Sequence, residues 1–400
     1  MRRILKTYLA IFFLLHPSLG IPTFLGVLSI QKVIEVLIGI LLVIKGVKLY
    51  TKRARNKLFL LGIFILYLVI QSLLLGSLFA LKSTAGLILN WFVVFFIAIS
   101  LTNYLTRKEF LHCLFLGYVM MSIGAYLTVL LKDNYIMHIL PFANDIKGIK
   151  VDTRLRFGLM RAQSFISNSL PLAHYYLLLT GYFLTEGLYS KKVSLVILLN
   201  SILVVLLTQS RVAIALGLLT VVVFVIYKKP RLSFLFGSLL ASLVFLFKRE
   251  IQLVYNIFSV GYGFEKVKGM EYLSESRWDI YMDAVVRLFD QRSIIGFGAH
   301  TFFGYLGTGT SLDRLLSRNG EFYTDYPLPF IFYGAFGLIG TIISVIFLRD
   351  VFANVSKFGL FALVSTIIFL LANLSTTHYT IIPLFLTLFA FSLNEPQVSK

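Results

Sequence analysis

Cysteine is nearly absent: Cys113 is the only one in 400 residues. No intramolecular disulfide can form, so the segments outside the apolar stretches must be held by packing and polar contacts. Cys113 lies in an apolar run and reads as a buried structural thiol. Acidic side chains are scarce as well, with 18 Asp and Glu against 37 Lys and Arg and a formal net charge of +19. Metal-ligand spacing is missing too. His16, His112, His138, His174, His300 and His378 are scattered with no His-x-x-x-His pair, so no bound metal is expected. No Gly-Lys-Ser or Gly-Lys-Thr follows the glycine-rich stretches, which argues against a nucleotide-binding phosphate loop, and no cofactor is expected. Nor is there an internal repeat, a low-complexity linker or a water-soluble domain, and residues 1–400 read as a single transmembrane domain.

Apolar side chains dominate what is present: 58% of residues are hydrophobic, 15% are aromatic, and the mean hydropathy is +0.87. A water-facing surface cannot be built from this composition, so the sequence describes an all-α, polytopic integral membrane protein. Candidate spans fall near 7–28, 33–50, 58–80, 85–105, 110–131, 164–185, 193–209, 211–227, 232–247, 327–348, 358–374 and 376–393, about 12 transmembrane helices. The first is read as uncleaved and kinked at Pro17. The basic excess would suggest nucleic acid in a soluble chain, but here much of it sits in short connections: Arg2-Arg3, Lys52 to Lys57, Arg107-Lys108, Lys191-Lys192, Lys228-Lys229-Pro230-Arg231 and Arg349. With both termini cytoplasmic, all of these fall on the cytoplasmic side, and no nucleic-acid partner is implied. Two longer loops, about 132–163 and 248–326, then face outward.

Val193 to Tyr227 carries a single charge, Arg211. At about 1.5 Å of rise per residue this stretch is too long for one straight span of a core about 30 Å thick. It should fold back near Thr208-Gln209-Ser210-Arg211, which leaves Arg211 at the outward surface. An isolated charge among apolar residues is costly and reads as functional.

The outward loops hold the remaining candidates. Arg154, Arg156 and Arg161 precede Ser164-Phe165-Ile166-Ser167-Asn168. In the longer loop, Trp278, Tyr281, Met282, Val285, Leu288 and Phe289 recur at helical spacing opposite Asp279, Asp283, Arg287 and Asp290, which predicts an amphipathic helix near 277–290. Arg277 would occupy its first turn, where the helix dipole disfavours a cation that has no anion to hold. Arg161, Arg211 and Arg277 together suit a diphosphate, because the planar guanidinium donates paired hydrogen bonds and stays charged at any working pH. Asp325, just outside a span, is the first candidate to deprotonate an acceptor hydroxyl, with Glu321 and His300 behind it. Ser210, Arg156 and Tyr326 complete the expected substrate-binding set. The tyrosines of these loops fit sugar stacking and an interfacial aromatic belt equally well.

Four passages in this order resemble the O-antigen polymerase and O-antigen ligase family of bacterial membrane glycosyltransferases. They are Arg161-Ala162-Gln163-Ser164-Phe165 with Asn168; Thr208-Gln209-Ser210-Arg211; Arg277-Trp278-Asp279-Ile280-Tyr281 followed by Gly296-Phe297-Gly298; and Tyr333-Gly334-Ala335-Phe336-Gly337-Leu338-Ile339-Gly340. The resemblance implies a polyprenyl-diphosphate-linked oligosaccharide as donor, held by Arg211 and Arg277. It also implies membrane lipids, a chain-length regulator and a flippase as partners, and the bacterial plasma (inner) membrane as location. Ligases of this family carry a histidine shortly before the final glycine-rich run. Here Thr324-Asp325-Tyr326-Pro327 stands in its place, which favours a polysaccharide polymerase acting at the outer face. The alternatives are a ligase-type glycosyltransferase or a lipid-linked oligosaccharide flippase.

Overall fold

A computed structural model describes residues 1–12, 20–23, 26–76, 78–134, 155–156, 159–165, 169–185, 188–228, 294–296, 298–299, 328–375 and 382–395. These residues are mostly helical, and four helices are long and apolar enough to cross a membrane: Lys52–Leu74, Ala80–Leu101, Arg107–Leu131 and Phe332–Phe358. Their outer surfaces are apolar. Phe59 is 72% exposed, Leu74 69%, Leu130 75% and Val345 64%, a surface that hydrocarbon solvates and water does not.

The chain divides into two compact units, Met1–Gly217 with Arg292–Lys400, and Leu218–Gln291. Of the second, the described residues are Leu218 to Lys228, the later part of a helix. The first unit opens with α1 (Arg2–Thr7), which continues into a π-helical turn, Tyr8–Phe12. An antiparallel hairpin follows, β1 (Gly20–Thr23) paired with β2 (Gly26–Ser29), with Gly20 opposite Ser29 and Thr23 opposite Gly26. This corrects the expectation of a helical span through residue 28. Pro22 cannot donate a helical hydrogen bond, and Gly20 and Gly26 weaken any helix that contains them.

Next come α2 (Ile30–Lys45), α3 (Lys52–Leu74), α4 (Leu78–Leu87), a second π-helical turn (Ile88–Val93), α5 (Val94–Leu101) and α6 (Arg107–Leu131). A small hairpin, β3 (Leu155–Arg156) with β4 (Leu159–Met160), leads to α7 (Ser169–Phe183), α8 (Lys191–Leu207) and α9 (Arg211–Lys228). The remaining elements are α10 (Leu328–Leu348), α11 (Val351–Val355) with a 3-10 turn (Ser356–Phe358), α12 (Leu360–Ser375) and α13 (Ile382–Asn394). The expected span at 232–247 and the amphipathic helix near 277–290 lie outside the described residues.

Polar contacts fix how the helices alternate. Glu109, in the capping box that opens α6, pairs with Arg2 at 2.6 Å and Lys6 at 2.7 Å. Arg107 pairs with Glu395 and donates to the Lys357 carbonyl at 2.7 Å. Asn394, fully buried, donates to the carbonyls of Lys48 and Ile99 and to Thr102 Oγ1, and accepts from the Tyr50 amide at 2.7 Å. Lys57 reaches Asp350 at 3.2 Å. The starts of α1, α3 and α6 therefore share one end of the bundle with the last turns of α2, α5, α10 and α13. We call this the basic end.

Between the ends, a hydrogen-bonded network joins α6, α7 and α8. Asn200 donates to Tyr118 and Ser122, Tyr126 donates to Asn200 at 2.6 Å, Ser122 meets Tyr176 at 2.6 Å, and Thr180 donates to Ser201 at 2.7 Å. Such contacts hold helices together where lipid removes the hydrophobic incentive to associate. Gly181 lets α7 approach α12 so closely that a Cβ would strike the Phe361 carbonyl and Ser365. Ser365 in turn donates to the Leu178 carbonyl at 3.0 Å.

Candidate functional site

At the end opposite the basic one, α8 finishes with carbonyls that have no partner within the helix. The segment 159–165 supplies donors for them. Ala162 N donates to Leu207 O at 2.9 Å, and the buried Arg161 donates from Nε to Thr208 O at 2.8 Å. A guanidinium at a helix C-terminus also meets the negative end of the dipole. Gln209 takes a left-handed conformation, with φ 54°, that turns the chain, and Ser210 Oγ accepts from Ala213 N at 3.4 Å as the cap of α9. Arg211 is then the first residue of α9. The fold-back expected within Val193 to Tyr227 is thus present at the expected residues, and Gly217 packs beside Val205 and Leu177.

Segment 159–165 is itself braced by α6. Asn134, fully buried just beyond that helix, donates from Nδ2 to Ser164 O at 2.9 Å and to Gln163 Oε1 at 3.3 Å. Ser164 adopts φ 67°, and its amide donates to Thr128 Oγ1 at 3.4 Å. Two of the sequence-predicted passages, Arg161-Ala162-Gln163-Ser164-Phe165 and Thr208-Gln209-Ser210-Arg211, are therefore in direct contact. A cation in the first turn of α9 sits at the positive end of a dipole, at a cost of about 0.3–1 kcal/mol at an exposed site. A bound anion reverses that penalty, because a helix N-terminus favours negative charge.

The other predicted residues divide as follows. Arg156 is in β3, with its backbone in register with Leu159. Ser210 spends its oxygen on capping α9. Arg277, His300, Glu321, Asp325 and Tyr326 lie outside the described residues. Among the described residues, no three His, Cys, Asp or Glu side chains are gathered as metal ligands.

The glycine passages come together elsewhere at this end of the bundle. α10 breaks at Gly337 (φ 63°, ψ −168°), and residues 294–296 and 298 pack against it at the break. Gly296 (φ 82°) lies against the backbone of Ala335, Phe336 and Gly337, leaving no room for a Cβ on either glycine. Gly298 N donates to Ala335 O at 2.9 Å, and Ile339 N donates to Ile294 O at 3.3 Å.

One polar cluster escaped the sequence reading. Glu35, wholly buried in α2, accepts from Tyr8 Oη and Gln31 Nε2, both at 2.9 Å, and pairs with Lys32, whose side chain is 7% exposed. A signal was available: Glu35 is the only acidic residue before Glu109, and it interrupts an apolar run. The chain matches no protein-family model and no curated protein.

Proposed function

We propose that this chain is a multi-pass membrane glycosyltransferase of the bacterial plasma membrane that polymerises polysaccharide repeat units. In this reading the chain crosses the membrane about twelve times, with the basic end cytoplasmic and the Arg161 and Arg211 segments outward. A growing glycan passes from its polyprenyl diphosphate carrier to a hydroxyl of a new lipid-linked unit. The acceptor oxygen attacks the anomeric carbon, the bond to the diphosphate breaks, and the hydroxyl proton leaves to a carboxylate, for which Asp325 is the first candidate. Arg211 and Arg277 stabilise the charge that builds on the departing diphosphate.

The observation that carries this reading is the contact between the Arg161 segment and the turn that opens α9 at Arg211. It joins two arginine-bearing passages, separate in sequence, beside helix N–H groups suited to an anion. A second feature agrees with a lipid-borne substrate: a small apolar cleft of about 70 Å³ among α3, the second π-helical turn, α10, α12 and α13, lined by Phe64, Trp91, Phe332, Phe347 and Phe385.

Arg211→Ala and Arg211→Lys, checked for membrane abundance, test the proposal. Alanine should leave mostly single repeat units and lower polymer yield at least tenfold, with lysine intermediate because it keeps the charge and loses the fork. Normal polymer from the alanine variant sinks the role of Arg211. Accumulation of long carrier-bound chains on deletion of the whole protein would point to the ligase reaction instead.

A further inference from the structure

A bias of short cytoplasmic loops toward Lys and Arg explains cations at the end of the bundle proposed to face inward. It does not explain how the fold groups them. Every carboxylate described at the basic end is already engaged: Glu109 by Arg2 and Lys6, Asp350 by Lys57, and Glu395 by Arg107. Around Glu395, three cations from three separate elements converge. Arg53 of α3 and Arg107 of α6 both lie within electrostatic reach of Lys357, in the 3-10 turn after α11, as does Glu395 itself. Arg107 donates from Nε to Glu395 at 2.8 Å and 3.1 Å, and its guanidinium carbon lies 4.9 Å from the centre of the Phe358 ring. Lys357 Nζ donates to Asn354 Oδ1 at 2.8 Å and to Ser392 O at 3.3 Å. One carboxylate thus faces three cations, and like charge gathered by folding is costly unless an anion from outside the chain offsets it.

Two of the cations are placed to receive that anion. Arg53 and Lys357 are exposed. Lys357 has a third N–H to give, and Arg53 has no carboxylate partner among the described residues. The first turn of α3 contains no acidic residue, and the dipole there also favours a negative ligand. Phe352 and Leu360, on either side of Lys357 in the chain, are exposed apolar side chains, so the cluster lies where apolar surface gives way to charge. A free anion would satisfy only the charge, whereas an anion carrying an acyl tail satisfies both. We propose that Arg53 and Lys357, with Arg107 beside Lys357, form a binding site for the phosphate of an anionic phospholipid. The site stands whether or not the chain polymerises glycans.

The test uses full-length protein in mixed micelles, with bound lipid counted by native mass spectrometry. The probes are phosphatidylglycerol, phosphatidylcholine with the same acyl chains, inorganic phosphate and a polyglutamate peptide. Wild-type protein should prefer phosphatidylglycerol to phosphatidylcholine by about tenfold or more. Arg53→Gln and Lys357→Gln should each lower that preference about fivefold, and together should abolish it. Lys191→Gln with Lys192→Gln, which removes two cations from the start of α8 at the same end, should leave it within about twofold. Arg53 is exposed and outside the ion pairs, so its variant decides the test alone should Lys357→Gln reduce the amount of folded protein. Equal retention of the two lipids by wild type overturns the site. An equal loss in the α8 variant also overturns it, because the preference would then belong to diffuse charge. Displacement of the lipid by inorganic phosphate at equal concentration would assign the cluster to a soluble anion, and tighter retention of polyglutamate would assign it to an acidic protein segment; either result overturns the lipid site.

Discussion

Glu35 shows what a single ionisable residue can demand of an apolar interior. A carboxylate with no solvent exposure is tolerable only when charge and hydrogen bonds compensate it, and Lys32, Tyr8 and Gln31 all do so. Buried pairs of this kind contribute little when replaced whole by apolar residues, yet breaking one partner away costs about 3–5 kcal/mol. Glu35→Ala should therefore destabilise the protein by roughly that amount, leaving the Lys32 ammonium buried alone, whereas Lys32→Met with Glu35→Leu should recover most of the loss. Unfolding in mixed micelles, followed by circular dichroism, checks both, and equal destabilisation by the single and double variants would refute the pairing argument. Asn394 makes the complementary case with a neutral group. Its amide ties the last turn of α13 to the ends of α2 and α5, so Asn394→Leu orphans several backbone groups and should cost about 2–3 kcal/mol in the same assay.

At the scale of elements, legibility in the sequence depended on whether the signal was local. The α8–α9 turn was readable because four polar residues interrupt a stretch that cannot cross the bilayer straight. Most helix positions followed from apolar runs, with boundaries displaced by several residues where caps decide them: Thr51 caps α3 with a side-chain bond to Ala54 N, earlier than the apolar run begins. The hairpin at 20–29 was misread because an apolar run has no periodicity to separate strand from helix, and only Pro22 with its flanking glycines hinted at the outcome. The contact of Arg161 with Thr208 and the crossing of Gly296 with Gly337 were not legible, since each joins residues far apart in the chain. The crossing carries its own prediction. Gly337→Ala places a side chain at φ 63° against the Ile294 carbonyl and the Gly296 amide, and it should destabilise by more than the roughly 0.4–1 kcal/mol that a Gly-to-Ala change gains where the backbone accepts it. A thermal midpoint in detergent unchanged from wild type would show that the crossing yields.

For the molecule as a whole, the decisive question is which end of the bundle faces the cytoplasm, because the proposed outward-acting polymerase requires the arginine segments at the outer surface. The described contacts define two opposite ends without reference to any membrane: Lys191 lies at the start of α8, and Leu159, 45% exposed, lies beside the turn that follows its last residue. In the proposed orientation the end with Lys and Arg in short connections is cytoplasmic, since cytoplasmic loops retain basic residues. The sequence also offers a clean way to test it. Cys113 is the only cysteine and is buried, so a Cys113→Ser background should fold with little loss and carry no reactive thiol. In that background, Leu159→Cys should react with a membrane-impermeant maleimide in intact spheroplasts, and Lys191→Cys should react only after the membrane is opened. The reverse pattern would put Arg161 and Arg211 inside the cell and remove the physical basis for an outward-acting polymerase, whatever the chemistry of the arginines themselves.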